Sequence, residues 1–257
     1  MQPVSIGICG IGTVGRSVFD VLQRNGPEIT RRAGREIRVT AVGMRRDKAD
    51  FAPGDARVER EVLALADDPG IDILVELVGG TDVARELVLR AIDRGKHVVT
   101  ANKALIAEHG NEIFAAARER GVAVAFEAAV AGGIPLVKAL REGLAANRIA
   151  WLAGIINGTS NYILTEMRAA GREFADVLAE AQRLGYAEAD PTFDVEGIDA
   201  AHKLAILASI AFGVPLAFDR VYTEGIGEVS GDDIAYAEEL GYRIKPLALT
   251  RLTENGV

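Results

Sequence analysis

The chain has 257 residues, 49% of them hydrophobic and 26% charged, which is the composition of an ordinary globular protein with one large domain or two smaller ones. The net charge of −8 argues against non-specific nucleic-acid binding, and no uncharged stretch reaches the roughly 18 residues of a transmembrane helix. The single cysteine, Cys9, excludes an internal disulfide bond and a multi-cysteine metal site. The first residues, MQPVSIGICGIG, lack a secretory signal, so we expect a cytoplasmic protein that binds neither nucleic acid nor membrane.

The first predicted element is an apolar strand, VSIGIC, followed by the glycine-rich turn GIGTVG and a helical segment. The glycines have the G-x-G-x-x-G spacing of a dinucleotide-binding turn, where they permit a tight turn, close approach of the backbone to a pyrophosphate, and close packing of helix on strand. The helix N-terminus adds unpaired N–H groups for the phosphates. We therefore expect the whole turn to bind the cofactor: Gly10, Ile11, Gly12, Thr13, Val14 and Gly15. Cys9, inside the strand, is interpreted as a small core residue.

Strands and amphipathic helices continue to alternate after this turn. The further predicted strands are residues 37–44, 72–80, 97–103 and 122–130. This alternation predicts an α/β protein with a Rossmann-type, doubly wound parallel sheet that binds its ligand at the carboxyl ends of the strands. We assign residues 1–130 to this dinucleotide-binding domain.

The stretch GMRRDK, after the second strand, bears on the choice of dinucleotide. A site for NAD usually carries an acid here for the ribose 2′-hydroxyl, whereas Arg45 and Arg46 precede Asp47 in this chain. Guanidinium groups suit a 2′-phosphate, so we expect both arginines to bind the cofactor and favour NADP over NAD. A solvated basic turn is the alternative.

The fourth strand ends in TANK, on the rim of the sheet that is expected to face the cofactor. We predict that Thr100, Ala101, Asn102 and Lys103 bind the cofactor. Lys103 is also a candidate for catalysis, and an ordinary surface lysine is the alternative.

Beyond residue 130, strands separated by pairs of helices predict a mixed α+β substrate-binding domain over residues 131–257. Residues 148–157 and 243–252 are predicted strands, and Thr159 and Ser160 are candidate caps of the helix after the first of them.

An acidic stretch, EADPTFDVEGIDAAHK, holds five carboxylates and ends in Lys203. If a helix begins near Gly197, Asp199 and Lys203 stand at i and i+4 on one face. An exposed ion pair is the ordinary interpretation, but the helix is apolar from Leu204 onward and is therefore predicted to be interior. A lysine in this position can exchange protons, and acids beside it can bind a substrate ammonium group.

Four blocks of the sequence resemble the homoserine dehydrogenase family. The family signature matches AQRLGYAEADPTFDVEGIDAAHK, and the residues that keep its spacing are Ala181, Gly185, Tyr186, Asp190, Pro191, Asp194, Gly197, Asp199 and Lys203. The blocks TANKALIA, EAAVAGGIPLV and GIINGTSNYIL also resemble family segments in the same order, so the resemblance covers essentially the whole chain.

The resemblance implies NAD(P)-dependent interconversion of L-homoserine and L-aspartate 4-semialdehyde, in threonine and methionine biosynthesis, by a homodimer whose second domain also mediates dimerisation. It implies that Lys203 is the proton donor, with Lys103 as a second candidate, and that Asp194 holds the lysine. The substrate-binding residues that it implies are Gly185, Tyr186, Glu188, Asp194, Asp199 and Thr159.

The block EAAVAGGI is similar to the family's sodium site, and the implied ligands are oxygen atoms of Glu127, Val130, Gly132 and Ile134. Members of the family usually continue beyond TRLTENGV, so we expect this chain to be incomplete at its C-terminus. A catalytically silent NADP-binding module, or an inactive fragment of the enzyme, is the alternative to an active dehydrogenase.

Overall fold

The computed structural model describes residues 2–257, which divide into two compact units with the boundary between Val137 and Lys138. The domain boundary predicted after residue 130 lies a few residues before it. Within the described residues, none of the helices has both the length and the apolar character needed to cross a membrane.

The first unit contains a six-stranded parallel sheet, and its strands are β1 (Val4–Cys9), β2 (Ile37–Gly43), β3 (Arg57–Glu59), β4 (Ile73–Glu76), β5 (His97–Thr100) and β6 (Val124–Ala125). The order β3-β2-β1-β4-β5-β6 reverses direction between β1 and β4. Ligands of doubly wound sheets bind at such a switch point, beyond the carboxyl ends of the strands. At this end of the sheet, Cys9 of β1 pairs with Gly43 on one side and with Glu76 on the other. The predicted Rossmann-type fold is confirmed.

Five helices accompany this sheet: α1 (Thr13–Arg24), α2 (Gly26–Ala33), α3 (Val62–Asp67), α4 (Asp82–Asp93) and α5 (Lys103–Arg120). Side chains alternate between the faces of each strand, so the sheet supports two apolar clusters. One contains Leu74 of β4 with Leu65, Leu87 and Ile113 of the helices. The other contains Ile8 of β1 with Phe19 of α1. Helix packing on both faces explains why the strands are nearly continuous apolar runs.

The boundaries of several elements differ from the prediction. The fourth predicted strand ends at Thr100, and α5 begins at Lys103 because the side chain of Asn102 caps it by accepting a hydrogen bond from Leu105 N. The predicted strand at 122–130 shrinks to β6, followed by a 3₁₀ turn at Glu127–Ala129. The short elements α2, β3 and α3 were not predicted, because each is too short to carry a clear periodicity.

The short helix α6 (Leu136–Lys138) spans the boundary between the two units. The second unit is mostly helical, and its further helices are α7 (Gly158–Ala170), α8 (Phe174–Arg183), α9 (Thr192–Val195), α10 (Ile198–Phe212) and α11 (Gly231–Glu239). A π-helical turn, Ala139–Gly143, follows α6. Two antiparallel strands, β7 (Trp151–Gly154) and β8 (Ala248–Arg251), form its sheet. The predicted mixed α+β character is confirmed.

The core of the second unit lies between α7, α8 and α11, where Ile163 and Met167 pack with Val177 and Ile234. Helix α10 buries Ala201, Ala205, Ile206 and Leu207, which confirms the prediction of a largely interior helix. It also buries His202, whose ring lies 5.2 Å from that of Phe193 and 4.2 Å from that of Phe218.

Candidate active site

The glycine turn between β1 and α1 has the geometry of a phosphate cradle. Gly10 has a φ of 96°, and a Cβ added to it would lie 2.4 Å from the carbonyl oxygen of Leu77. A Cβ on Gly15 would lie 1.9 Å from the carbonyl oxygen of Gly10, so only glycine allows α1 to pack this closely on the strand. A Cβ on Gly12 would meet nothing within 4 Å, so the backbone at the start of α1 is open to a ligand.

A pocket of about 500 Å³ opens beside this turn. Its walls are formed by Gly10–Gly12, by the loop at residues 77–83, and by the segment after β2, which contributes Arg45, Arg46 and Lys48. The next acid, Asp47, accepts a hydrogen bond from Arg60 at 2.6 Å. Three of the six predicted residues of the glycine turn, Gly10, Ile11 and Gly12, therefore lie around one pocket with both predicted arginines, whereas Thr13, Val14 and Gly15 are not among the residues that line it.

The carboxyl ends of β4 and β5 are joined by a buried hydrogen-bond network. The Thr100 hydroxyl donates to Glu76 Oε2 at 2.6 Å, and Val78 N donates to Glu76 Oε1 at 2.9 Å. Thr100 Oγ1 in turn accepts a hydrogen bond from Asn102 N at 3.0 Å, and the Asn102 amide donates to the Gly80 carbonyl at 2.7 Å. These bonds fix the rim residues at 100–102 against the pocket loop at 77–83.

This network changes the interpretation of two residues. Thr100 was predicted to bind the cofactor, but it is only 1% exposed and its hydroxyl is engaged with Glu76. Of the four predicted rim residues, the partly exposed ones that a cofactor could contact are therefore Ala101, Asn102 and Lys103. Glu76, which is fully buried, was missed by the sequence analysis because its partner Thr100 lies 24 positions away.

Cys9 lies in the core beneath the glycine turn and is fully buried. Burial raises the pKa of its thiol well above the ordinary value, and the nearby Glu76 charge adds to the increase. Such a thiol is a poor nucleophile. The prediction of an inert core cysteine is confirmed.

In the second unit, four polar side chains meet at the start of α10. Lys203 Nζ donates to Asp199 Oδ2 at 2.6 Å and to the Ile156 carbonyl at 2.7 Å. The Asn157 amide donates to the same Asp199 Oδ2 at 2.9 Å and to Asp194 Oδ1 at 2.7 Å. We call these four residues, Asn157, Asp194, Asp199 and Lys203, the lysine cluster. The predicted pairing of Asp199 with Lys203 is present, and Gly197, with a φ of 79°, precedes the first residue of α10.

The lysine cluster is shielded from solvent. The side chains of Lys203 and Asp199 are 19% and 7% exposed, and Asn157 is 3% exposed. Removing one partner of an ion pair with this burial leaves an uncompensated charge, which costs more than the loss of an exposed pair on a helix surface. Asp194 was predicted to hold the lysine in place; in the structure Lys203 contacts Asp199, and Asp194 is linked to Asp199 through Asn157.

Asn157 was missed by the sequence analysis, which proposed Thr159 and Ser160 as caps of α7. In the structure Asn157 is the cap, because its side-chain oxygen accepts a hydrogen bond from Ser160 N at 2.8 Å. An asparagine immediately ahead of a helical segment is a recognised capping signal and could have identified it. The Ser160 hydroxyl instead donates to the Asp194 carbonyl at 2.9 Å.

The other predicted substrate residues lie on the loop after α8 and beside it. The Thr159 hydroxyl donates to the Tyr186 carbonyl at 2.8 Å, and Gly185, with a φ of 77°, turns the chain after the helix. Glu188 is exposed, and Gln182 donates to its backbone carbonyl at 3.0 Å. Among residues 2–257, no hydrogen bond or ion pair joins the Glu188 carboxylate to Lys203.

Comparison with known proteins gives a match for each of the two units. The sequence profile described as "Homoserine dehydrogenase, NAD binding domain" matches residues 10–127, and the profile described as "Homoserine dehydrogenase" matches residues 135–255. The homoserine dehydrogenase of Pseudomonas aeruginosa is 66% identical over 256 residues. This chain belongs to the homoserine dehydrogenase family.

Solved structures of the homoserine dehydrogenase family share the fold. A homoserine dehydrogenase from Thiobacillus denitrificans matches 99% of this chain with a TM-score of 0.96 and 64% identity. A hyperthermophilic archaeal homoserine dehydrogenase in complex with NADPH matches 97% of this chain and 79% of its own length, with a TM-score of 0.80 and 29% identity. The first unit therefore contains the NAD(P)-binding domain of this family.

The chain spans 59% of the length of both the Pseudomonas aeruginosa and the Thiobacillus denitrificans homoserine dehydrogenases. The two alignments include 100% and 99% of the residues of this chain, respectively.

The segment that resembles the sodium site of homoserine dehydrogenases follows β6. Ala131 adopts a left-handed φ of 52°, and the Glu127 carboxylate accepts a hydrogen bond from Val137 N at 2.9 Å. Two of the four implied ligand carbonyls already accept a hydrogen bond, Glu127 O from Val130 N and Ile134 O from Leu136 N. A carbonyl oxygen has two lone pairs, so this all-oxygen set still suits a hard cation. Within the described residues, no group of three or more His, Cys, Asp and Glu side chains offers an alternative metal site.

Proposed function

We propose that this protein catalyses the NAD(P)-dependent interconversion of L-homoserine and L-aspartate 4-semialdehyde, as part of amino-acid biosynthesis. The observation that carries the proposal is the lysine cluster: a shielded ammonium group paired with Asp199, in a chain that also contains an NAD(P)-binding domain. A bound dinucleotide supplies hydride transfer, and the chain's own residues supply orientation and proton transfer.

Lys203 is the proposed proton donor. Reduction of an aldehyde builds negative charge on its oxygen, and an ammonium group nearby both stabilises and protonates that oxygen. Asp199 Oδ2 and the Ile156 carbonyl accept two hydrogen bonds from Lys203 Nζ, which leaves its third N–H for the substrate oxygen. In the reverse direction, the amine that has given up its proton takes the hydroxyl proton of homoserine. Lys103, the first residue of α5, is the second candidate for this role.

The substrate's amino-acid portion is proposed to bind residues of the second unit. The carboxylates of Asp199, Asp194 and Glu188 are proposed to face the α-ammonium group of the substrate. Thr159, Gly185 and Tyr186 are proposed to shape the adjoining loop. The hydrogen bond from Thr159 to the Tyr186 carbonyl supports this grouping, since it holds α7 against that loop. Ionic recognition of this kind favours a substrate with a free α-ammonium group over a simple aldehyde.

NADP is the proposed dinucleotide. Three basic side chains, Arg45, Arg46 and Lys48, line the pocket beside the glycine turn, where the ribose 2′-position is expected. Asp47, the acid that could accept the 2′-hydroxyl of NAD, is engaged with Arg60. The complex of the archaeal relative with NADPH supports the same choice. The cofactor contacts are assigned to the glycine turn, to Arg45 and Arg46, and to the rim at residues 101–103.

Three further features are part of the proposal. A sodium ion is proposed to bind the carbonyl oxygens of Glu127, Val130, Gly132 and Ile134, where it would fix the segment after β6. The protein is proposed to act as a homodimer, with residues 131–257 serving both substrate binding and dimerisation. A cytoplasmic location remains a prediction.

The test is an absorbance assay at 340 nm with the 257-residue chain, L-homoserine, and either NADP⁺ or NAD⁺. We expect homoserine-dependent formation of the reduced dinucleotide, with a lower KM for NADP⁺ than for NAD⁺. Binding of the dinucleotide in a fluorescence titration, without any turnover, would instead favour a catalytically silent binding module. A lower KM for NAD⁺ would overturn the proposed cofactor preference and leave the reaction standing.

A further inference from the structure

Asn157 lies at the centre of the lysine cluster, although it carries no charge and cannot transfer a proton. We propose that Asn157 is a positioning residue for Lys203: its amide holds Asp194 and Asp199 together, so that Asp199 presents a fixed oxygen to the ammonium group. This inference rests on the proposed function, because it concerns the same proton-transfer group.

The first argument is the shared oxygen. Asp199 Oδ2 accepts hydrogen bonds from both the Asn157 amide, at 2.9 Å, and Lys203 Nζ, at 2.6 Å. Lys203 Nζ also donates a hydrogen bond to the carbonyl of Ile156, the residue directly before Asn157. Both contacts that orient the ammonium group therefore depend on the position of the backbone and side chain at 156–157.

The second argument concerns charge. Asp194 and Asp199 are two carboxylates that bind the same amide group, and like charges this close repel each other. The Asn157 amide satisfies one oxygen of each acid with its two N–H donors and adds no charge. A cation in its place would compete with Lys203 for Asp199, and an acid would add a third negative charge. Asparagine is thus the side chain that joins the acids and leaves Asp199 available to Lys203.

The third argument is that the two ends of the Asn157 side chain have separate tasks. Its oxygen caps α7 by accepting from Ser160 N at 2.8 Å, whereas its amide bridges the acids. Asp and Ser cap helices about as well as Asn does. Substitution by either residue therefore keeps the cap and removes the bridge, which separates a positioning role from a merely structural one.

The experiment compares Asn157→Ser and Asn157→Asp with the wild-type chain. If Asn157 positions Lys203, we expect kcat for homoserine oxidation to fall about tenfold to a hundredfold in both variants, since small misplacements of a reacting group cost this much. The KM for NADP⁺ is expected to stay unchanged, and Asn157→Asp is expected to be the slower variant because it adds a third carboxylate. Wild-type kcat in both variants would overturn the inference and leave Asn157 as a helix cap.

Thermal unfolding identifies any variant that is not folded at the assay temperature. Should Asn157→Asp fail to fold, the neutral Asn157→Ser variant decides the question alone. Asn161→Asp is the matched control, because it adds the same charge one turn along α7, where Asn161 accepts a hydrogen bond from Lys245 that an aspartate would keep. We expect this control to retain kcat within about twofold.

A measurement that does not depend on turnover separates this inference from the proposed function. Acetic anhydride modifies exposed amines, and mass spectrometry of the Lys203 peptide gives its rate relative to the exposed Lys138. We expect Lys203 to react about threefold to tenfold faster in Asn157→Ser, because an ion pair that has lost its anchor holds the amine less firmly. An unchanged rate would contradict the positioning role. Faster acetylation in a chain with no homoserine-dependent turnover would keep the inference and reject the function.

Discussion

The buried polar networks around Glu76 and around Lys203 are built differently. At the carboxyl ends of β4 and β5, the fully buried Glu76 accepts hydrogen bonds from a backbone amide and from the Thr100 hydroxyl. At the start of α10, the lysine cluster joins two carboxylates, one amide and one ammonium group. The first network connects backbone segments, and the second ends on a long side chain.

The difference in composition matches a difference in task. The hydrogen bonds to Glu76 hold in place the two segments that donate them, at Val78 and at Thr100. Since Thr100 also accepts from Asn102 N, this network sets the shape of the rim beside the nucleotide pocket. Lys203, in contrast, keeps a flexible stem and an exchangeable proton while its ammonium group is held at two points. A network whose hydrogen bonds connect backbone segments is suited to holding the fold in shape. A network that holds an ammonium group is suited to proton transfer.

The largest expected effect comes from removing that ammonium group. Lys203→Ala is expected to lower kcat for homoserine oxidation by about 10²–10⁴-fold, the usual contribution of a positioned acid, with little change in the KM for the dinucleotide. Steady-state kinetics at 340 nm gives both values. Lys138→Ala, at an exposed lysine paired with Glu142, is the control. A near-normal kcat in Lys203→Ala would remove this residue from the chemistry and make Lys103 the stronger candidate.

The next largest effect is expected in the network around Glu76, and it concerns stability. Thr100→Val keeps the shape of the side chain but leaves Glu76 Oε2 and Asn102 N without the hydroxyl, which should cost about 1–3 kcal/mol of local stability. Hydrogen exchange of the amides in β4 and β5 measures that loss. Thr250→Val, on β8, is the matched control. If protection in β4 and β5 stayed at the wild-type level, the scaffolding role of this network would be wrong.

These two networks also mark how far sequence reasoning reached. The strand–turn–helix geometry of the glycine turn was predicted correctly because its glycine spacing is local. The pairing of Asp199 with Lys203 was predicted because the two residues are four positions apart on one helix. Glu76 was missed because its hydroxyl partner is 24 residues away, and a lone acid at a strand end carries no local signal.

Asn157 was missed for two reasons. The segment NGTS offers three residues that favour helix caps, and the choice among them depends on where the helix begins. The acids that it bridges lie 37 and 42 positions away, so only the folded chain brings the three side chains together. Lys103 was placed in a strand for a similar reason, because the capping role of Asn102 was not recognised.

A smaller effect is expected at the basic wall of the nucleotide pocket, which the rim network holds in shape. Replacing both Arg45 and Arg46 by Ala should raise the KM for NADP⁺ about tenfold, since charged hydrogen bonds to a 2′-phosphate are lost, and leave the KM for NAD⁺ nearly unchanged. Arg38→Ala is the control, because Arg38 is an exposed arginine of β2 that pairs with Glu36 and does not line this pocket. Equal losses for both dinucleotides would argue against recognition of the 2′-phosphate.

The smallest expected effect concerns an acid outside the lysine cluster. Glu188 is exposed, and its carboxylate makes no hydrogen bond to Lys203 among the described residues, so its loss should leave the proton donor in place. Glu188→Ala is therefore expected to raise the KM for homoserine about threefold to tenfold, through loss of one charged contact to the substrate ammonium group, while kcat changes less. Glu196→Ala, at another exposed acid of the same stretch, is the control. Should kcat fall as far in Glu188→Ala as in Lys203→Ala, the lysine cluster would not be a self-contained proton-transfer unit, because an acid beyond its four residues would then be needed to hold the ammonium group.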